Sequence, residues 1–358
     1  MNTPRYAHTE SVLASGKVLV TGGINGEIFL NSTELYDPST KTWTVSGNMR
    51  ETRVSHTASV LLDGKVLLSG GNNAVEVSKH SAEVYDPSTG VWTATGSMAN
   101  GRTSHTASVL SNGKVLVTGG TTDGEHSLNS AELYDPSTGG WVTTASMGNS
   151  RQRHTACVLT NGKVLVTGGY NGLGPVLDSA ELYDPSTGTW TITSSMKSRR
   201  GFHTASVLAN GQVLVAGGYD IYGLYSTELY DPSTETWTIT GSMNDARQMH
   251  TATVLANGKV LVSGGDDGVV FLKSAELYDP LTGNWTTAGS MSFTRAWHTA
   301  STLADGNVLV AGGNSYGFNI TELYIPLTKA VSSSHKMNNA SNYLKVPVLT
   351  TGKPLINR

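Results

Sequence analysis

The chain has 358 residues and a formal charge of −3, with 24 basic side chains against 27 acidic ones. That balance excludes the basic footprint of a nucleic-acid binder, and no apolar run reaches the ~18 residues of a membrane span. A single cysteine, Cys157, excludes an internal disulfide framework.

Read from the start, the chain repeats itself. Gly-Gly falls at Gly22, Gly70, Gly119, Gly168, Gly217, Gly264 and Gly312, 47 to 49 residues apart, and Glu-x-Tyr-x-Pro follows every pair. A period of this size means stacked supersecondary units, none of which can bury a core alone. The units run about 1–49, 50–98, 99–147, 148–196, 197–243, 244–291 and 292–337. In the second unit, residues 56–62 read as a strand that ends at the turn Asp63-Gly64-Lys65. That turn begins Asn-Gly in the third to sixth units, a hairpin signal. Residues 66–68 are a continuous apolar run, as expected of a strand buried on both faces. Residues 82–85 read as a third strand, 86–90 as a turn with Pro87 at a favoured position, and 91–95 as a fourth strand. The pattern predicts an all-β chain of seven four-stranded antiparallel meanders, arranged radially as a β-propeller. A Trp follows the Tyr by seven residues in six units: Trp43, Trp92, Trp141, Trp190, Trp237 and Trp285. The bare Gly-Gly pair is expected to admit a neighbouring blade's large aromatic, supplied by the Tyr and Trp columns.

Gly-Gly, then Tyr, six residues and Trp, resembles the kelch repeat, and the resemblance covers residues 1 to about 337. It implies a seven-bladed propeller, similar in blade count to galactose-oxidase-like proteins. Many kelch propellers are protein-interaction modules. The copper oxidases that share the blade count need a Cys crosslinked to a Tyr, a second Tyr and two His at one copper. Cys157 stands where other units carry Ser59, Ser108 and Ser206, so a small buried residue is expected there and oxidase chemistry is not. The seventh unit is eroded, with Val331 in place of the Trp. Residues 338–358 read as a decayed first hairpin of an eighth repeat or as a disordered tail.

A residue present seven times by symmetry is expected to be scaffold. Arg-x-x-His precedes every first strand: Arg5/His8, Arg53/His56, Arg102/His105, Arg151/His154, Arg200/His203, Arg247/His250 and Arg295/His298. Seven equivalent His make too wide a ring for a metal, which needs three or four ligands at ~2 Å. The expectation is that each unit satisfies its own backbone and Glu groups with this pair. No metal, no cofactor and no catalytic residue is expected.

The informative signal is where the units differ. In a meander the loop after Gly-Gly and the loop before the first strand share one face, and the opposite face is nearly the same polar turn seven times over. All five Phe lie in the first set, Phe29, Phe202, Phe271, Phe293 and Phe318, with Tyr6, Tyr170, Tyr219, Tyr222, Tyr225, Tyr316 and Trp297. The residue before each repeat His reads Ala7, Ser55, Ser104, Arg153, Phe202, Met249 and Trp297: small in units one to three, bulky in four to seven. Aromatics and Arg dominate binding hot spots. The expected partner site is therefore Arg153, Phe202, Tyr222, Tyr225, Met249, Phe271 and Trp297. The expected function is a non-catalytic, monomeric module for a protein or peptide. A carbohydrate-binding propeller is the alternative, and an enzyme with its site at the channel mouth a lesser one. No signal-like apolar segment occupies residues 1–12, so the chain as given is expected to be cytoplasmic. Met1 falls on a repeat position, four residues before Arg5. A longer, extracellular array is therefore the other reading.

Overall fold

Residues 1–314 and 319–333 are described by a computed structural model. Seven four-stranded antiparallel sheets surround an axis. In the first, Thr9–Val12, Val18–Thr21, Thr33–Asp37 and Thr42–Val45 run outward in chain order. The strands expected in the second unit are present as Thr57–Val60, Val66–Ser69, Ala82–Asp86 and Val91–Ala94. The innermost strands touch in sequence, from Thr9–Val12 and Thr57–Val60 round to Thr299–Thr302, which returns to Thr9–Val12 and closes the ring. Among the described residues each blade draws its four strands from one unit, so the seam between the last blade and the first is packed like the others.

The continuous apolar runs become second strands that are buried along their whole length. One face of a blade offers Leu and the next blade answers with Val, Leu and Tyr: Leu13 and Leu19 pack on Val66, Leu68 and Tyr85. Burying each such side chain stabilises by roughly 1.5–3 kcal/mol. At the seam, Val18, Val20 and Tyr36 meet Leu303, Leu309 and Leu323.

The Gly-Gly pair serves a different neighbour from the one expected. A Cβ on Gly22 would lie 2.5 Å from the carbonyl oxygen of Arg53, 2.9 Å from His56 Cε1 and 3.2 Å from the Met49 methyl. What approaches is the junction to the following blade, with its repeat His, rather than the Tyr or Trp column. Gly22 is also left-handed, at φ +62°. The columnar Trp instead packs on its own blade's Tyr, which it faces in register, at centroid distances such as 5.1 Å for Tyr36 and Trp43. The indoles of Trp141, Trp190, Trp237 and Trp285 donate to carbonyls of the preceding blade at 2.8–2.9 Å. Trp43, Trp92 and Trp237 are buried; Trp141, Trp190 and Trp285 are half-buried.

The repeated Arg is fully buried in every unit and pairs with the repeated Glu at 2.6–3.0 Å. Arg5 also donates to the carbonyls of Gly22 and Ser32 at 2.8 and 3.0 Å. Glu34 in turn accepts the backbone N–H groups of Asn2 and Thr3 at 2.6 and 2.9 Å. Each unit thus satisfies its own backbone with its Arg, as expected. The repeated His crosses the blade boundary instead: His56 Nε2 lies 2.9 Å from Thr9 Oγ1 of the preceding blade. This bond recurs at all seven boundaries.

The two loop sets expected to share a face do so. Tyr6 bridges Ile24, Gln152 bridges Tyr170 and Gln248 bridges Asp266. The turns of the opposite face are joined by Lys17–Asp37, Lys114–Asp135 and Lys259–Asp279 at 2.9–3.2 Å. That face is less uniformly polar than expected. Leu62 stands exposed in the first hairpin turn of the second unit, and Leu281 and Leu327 stand exposed because the Ser position of the last turn is Leu in units six and seven. The expected eighth hairpin at 338–358, and Tyr316 and Phe318 of the aromatic set, lie outside the described residues.

Candidate functional site

The seven residues that precede the repeat His form a closed circle of backbone hydrogen bonds at one mouth of the channel. Ala7 N donates to Trp297 O, Trp297 N to Met249 O, Met249 N to Phe202 O and Phe202 N to Arg153 O, at 3.1–3.2 Å. Arg153 N donates to Ser104 O, Ser104 N to Ser55 O and Ser55 N to Ala7 O, at 3.0–3.3 Å. Every member is left-handed, with φ between 51° and 55°. An L residue pays roughly 1 kcal/mol or more for that conformation, and a bulky one is a rare occupant. The ring over-determines it, since both the N–H and the C=O of each residue are committed.

The ring therefore aims seven side chains from one rim, four of them large. Trp297 packs against Tyr6 and Phe271 at 6.5 and 6.3 Å between centroids. Phe202 packs edge-on to Tyr170 at 5.7 Å, and the Arg153 guanidinium carbon lies 4.5 Å from the centre of the Phe202 ring. Met249 joins the two groups through the backbone ring, and Arg153, Phe202, Met249, Phe271 and Trp297 are all half-buried. Of the seven expected site residues, these five come together. Tyr222 and Tyr225 belong to the same face but stand exposed in the loop of the fifth unit, 78 % and 58 % accessible. Among the described residues no ring contact joins them to the rim. Tyr6 and Tyr170, left out of that expected set, hold the rim aromatics in place.

Burial moves the titratable groups near the mouth. It lowers the pKa of Arg153 and lifts the phenol of Tyr170 to about 12, the nearby Arg153 charge opposing that rise. Asp266, half-buried beside Phe271, is raised by burial. Its carboxylate accepts the Gly268 N–H at 2.7 Å, and Asp267 accepts those of Val269 and Val270 at 2.8 Å. Both acids are thus used in folding their own turn.

Sequence reasoning missed one residue of this kind. Glu10 occupies the innermost strand of the first blade, where the other six units carry Ala58, Ala107, Ala156, Ala205, Ala252 and Ala300. That contrast was the available signal. Its carboxylate lies in the seam with the seventh blade and accepts the Thr299 hydroxyl. With that proton committed, the Thr299 oxygen accepts from His8 Nε2 at 2.9 Å. Ala311 pairs with Thr299, as Ala216 pairs with Thr204 in the fifth blade, where the other five blades place Thr or Ser; at the seam Glu10 accepts the Thr299 hydroxyl where Ala311 offers no oxygen. Burial pushes its carboxyl up to about 7, against the opposing hydrogen bonds of Ser301 and Thr299.

The described residues do not fit a copper radical site. Cys157 is half-buried rather than buried, in the innermost strand opposite Leu165, and desolvation pushes its thiol up to about 12, which keeps it protonated and unreactive at neutral pH. Each repeat His is spent on a Thr hydroxyl. Among the described residues no three His, Cys, Asp or Glu side chains gather where they could hold one ion.

Residues 55–265 and 104–313 match the family described as the KLHDC2/KLHL20/DRC7 Kelch-repeats domain, and residues 5–50 match the Kelch motif. A search of curated proteins finds no match. Among solved structures, a fungal alcohol oxidase of the AA5 family, in complex with copper, is similar in fold at a TM-score of 0.72 and 21 % identity. The alignment covers 87 % of this chain and 71 % of that one. The matched profiles span most of the seven blades, and the chain belongs to the kelch-repeat family.

Proposed function

We propose that this propeller is a non-catalytic binding module that holds a protein or peptide partner on the face carrying the Gly-Gly loops, on the side of units four to seven. The observation that carries the reading is the rim itself. Four consecutive units place Arg153, Phe202, Met249 and Trp297 at left-handed positions where units one to three use Ala7, Ser55 and Ser104. Backbone strain of this kind persists where function repays it, and glycine would fill these positions at less cost. The two aromatic groups form one arc linked through Met249, which suits an extended contact. A carbohydrate site would leave an acid free beside each ring; here the group against Phe202 is the Arg153 guanidinium, and Asp266, beside Phe271, is used in folding its own turn. Among the described residues the shifted groups near the mouth are committed to local contacts, Arg153 against Phe202 and Asp266 in its own turn, which favours binding over catalysis. The test is selection of a random dodecapeptide display library on the intact propeller, counter-screened on Trp297→Ala and Phe202→Ala. Binders that require both rings support the reading, and binders indifferent to both would refute it.

A further inference from the structure

We propose that the ring opens between its seventh and first blades, and that Glu10 governs that opening. The inference concerns the scaffold and holds whether or not the rim is the partner site.

Six of the seven blade boundaries are crossed by the chain, since each unit runs on into the next. Among the described residues nothing covalent crosses the seventh, so the two blades can part there without stretching a connecting loop. Contact alone closes it. Gly313 N donates to Arg5 O and Ala7 N to Trp297 O, at 3.0 and 3.1 Å, and the apolar packing is of the kind found at the other boundaries. The carboxylate is what differs. Glu10 stands in the seam where six units place Ala, and it accepts the Thr299 hydroxyl. The titratable groups around it are otherwise engaged. His8, two residues before it, bonds Thr299 at 2.9 Å, and Arg5 behind His8 is held by Glu34. His298, at the head of the facing strand Thr299–Thr302, turns to Thr251 of the sixth blade. His56, at the head of the second blade's innermost strand, turns to Thr9. The second strands of the two blades, Val18–Thr21 and Val308–Ala311, carry no titratable group. Among the described residues no cation pairs with Glu10. A neutral carboxyl suits these surroundings and an ionised one does not; burial accordingly raises its pKa to about 7. Once water enters the seam the group returns to ~4.3. Closure is therefore firmest in acid, as far as this group is concerned, and weakens as pH rises to about 7. An open seam also parts Trp297 from Tyr6 and Ala7, so the proton on Glu10 bears on the channel mouth.

Hydrogen exchange of the whole chain at pH 6.5 and 8.0, read at single amides by fragmentation mass spectrometry, tests this. The Gly313 N–H reports the seam. Its six equivalents, from Gly23 N donating to Arg53 O to Gly265 N donating to Arg295 O, at 2.8–2.9 Å, report the other boundaries. Opening any boundary wets one repeat His, so that effect is common to all seven and cancels in the ratio. After correction for intrinsic rates Gly313 should exchange fastest, and its excess over the other six should grow about fourfold from pH 6.5 to 8.0. Glu10→Gln, which keeps the shape and cannot ionise, and Glu10→Ala should both abolish that growth. Gly313 exchanging like its six equivalents at both pH values, a comparison that needs no variant to fold, would overturn the inference. So would growth of its excess that persists in Glu10→Gln or Glu10→Ala.

Discussion

Mild acid should unfold this propeller over a narrow pH range, because one histidine is buried at every blade boundary. Desolvation, then the nearby repeat Arg, holds His8, His105 and His250 down to about 3, and His56, His154, His203 and His298 well below the usual value. In the unfolded chain these groups return to about 6.5. A depressed folded pKa means stability that is complete above 6.5 and lost as pH falls. At pH 5.5 each unfolded imidazole gains about 1.4 kcal/mol from protonation that the folded one forgoes, about 10 kcal/mol for seven. Glu10 acts in the opposite sense, since its carboxyl is raised to about 7, and returns roughly 2 kcal/mol over the same interval. The net loss of about 8 kcal/mol between pH 7.5 and 5.5 is comparable to the whole stability of a typical domain, roughly 5–15 kcal/mol. Urea titrations followed by tryptophan fluorescence at pH 7.5, 6.5 and 5.5 should show the midpoint falling by about 2 M or more, given slopes that grow with chain size. A midpoint constant across that range would refute the reasoning: the imidazoles would then be accommodated in their charged form.

Other outcomes follow from single side chains. Glu10→Ala, which restores the residue of the other six units, should stabilise at pH 8 by up to about 3 kcal/mol and by less than half of that at pH 5.5, because the raised carboxyl destabilises only as the unfolded group ionises; urea midpoints of the variant and the unaltered chain at both pH values decide it. Trp237→Ala should cost about 3–5 kcal/mol, as for other large buried side chains, and Trp141→Ala less, since that indole is half-buried; equal losses would mean that burial does not set the cost. Gly22→Ala should destabilise by more than ~2 kcal/mol in the same titrations, since the methyl meets the Arg53 carbonyl at a positive φ. Met249→Gly relieves a left-handed bulky residue worth about 1 kcal/mol, so its melting temperature should hold or rise while peptide affinity falls.

Much of the fold was legible because a repeat states its register seven times. Val66–Ser69 read as a buried strand from its unbroken apolar run, and the expected strands elsewhere in the unit lie within a few residues of those observed. What Gly22 admits was not legible. The contact joins residues of adjacent units, and Tyr, Trp, His and a carbonyl are equally periodic candidates for it. The rim positions stood out through residue size, but their left-handed backbone and their closed ring did not, since glycine is absent from all seven. Glu10 was visible against six Ala, yet the rule that repeats are scaffold turned attention to the loops. Its role rests on Thr299, about 290 residues away in sequence and adjacent only because the ring closes.

The central claim, that one face carries the function, is most directly tested by calorimetry of a selected peptide against four proteins: the unaltered chain, Phe202→Ala, Lys163→Ala and Ser186→Ala. The rim variant should lose about 2 kcal/mol of binding, roughly thirtyfold, while the two variants of the opposite turns bind as the unaltered chain does. Loss of the peptide by the turn variants, with affinity retained by Phe202→Ala, would place the site on the other face and contradict the account.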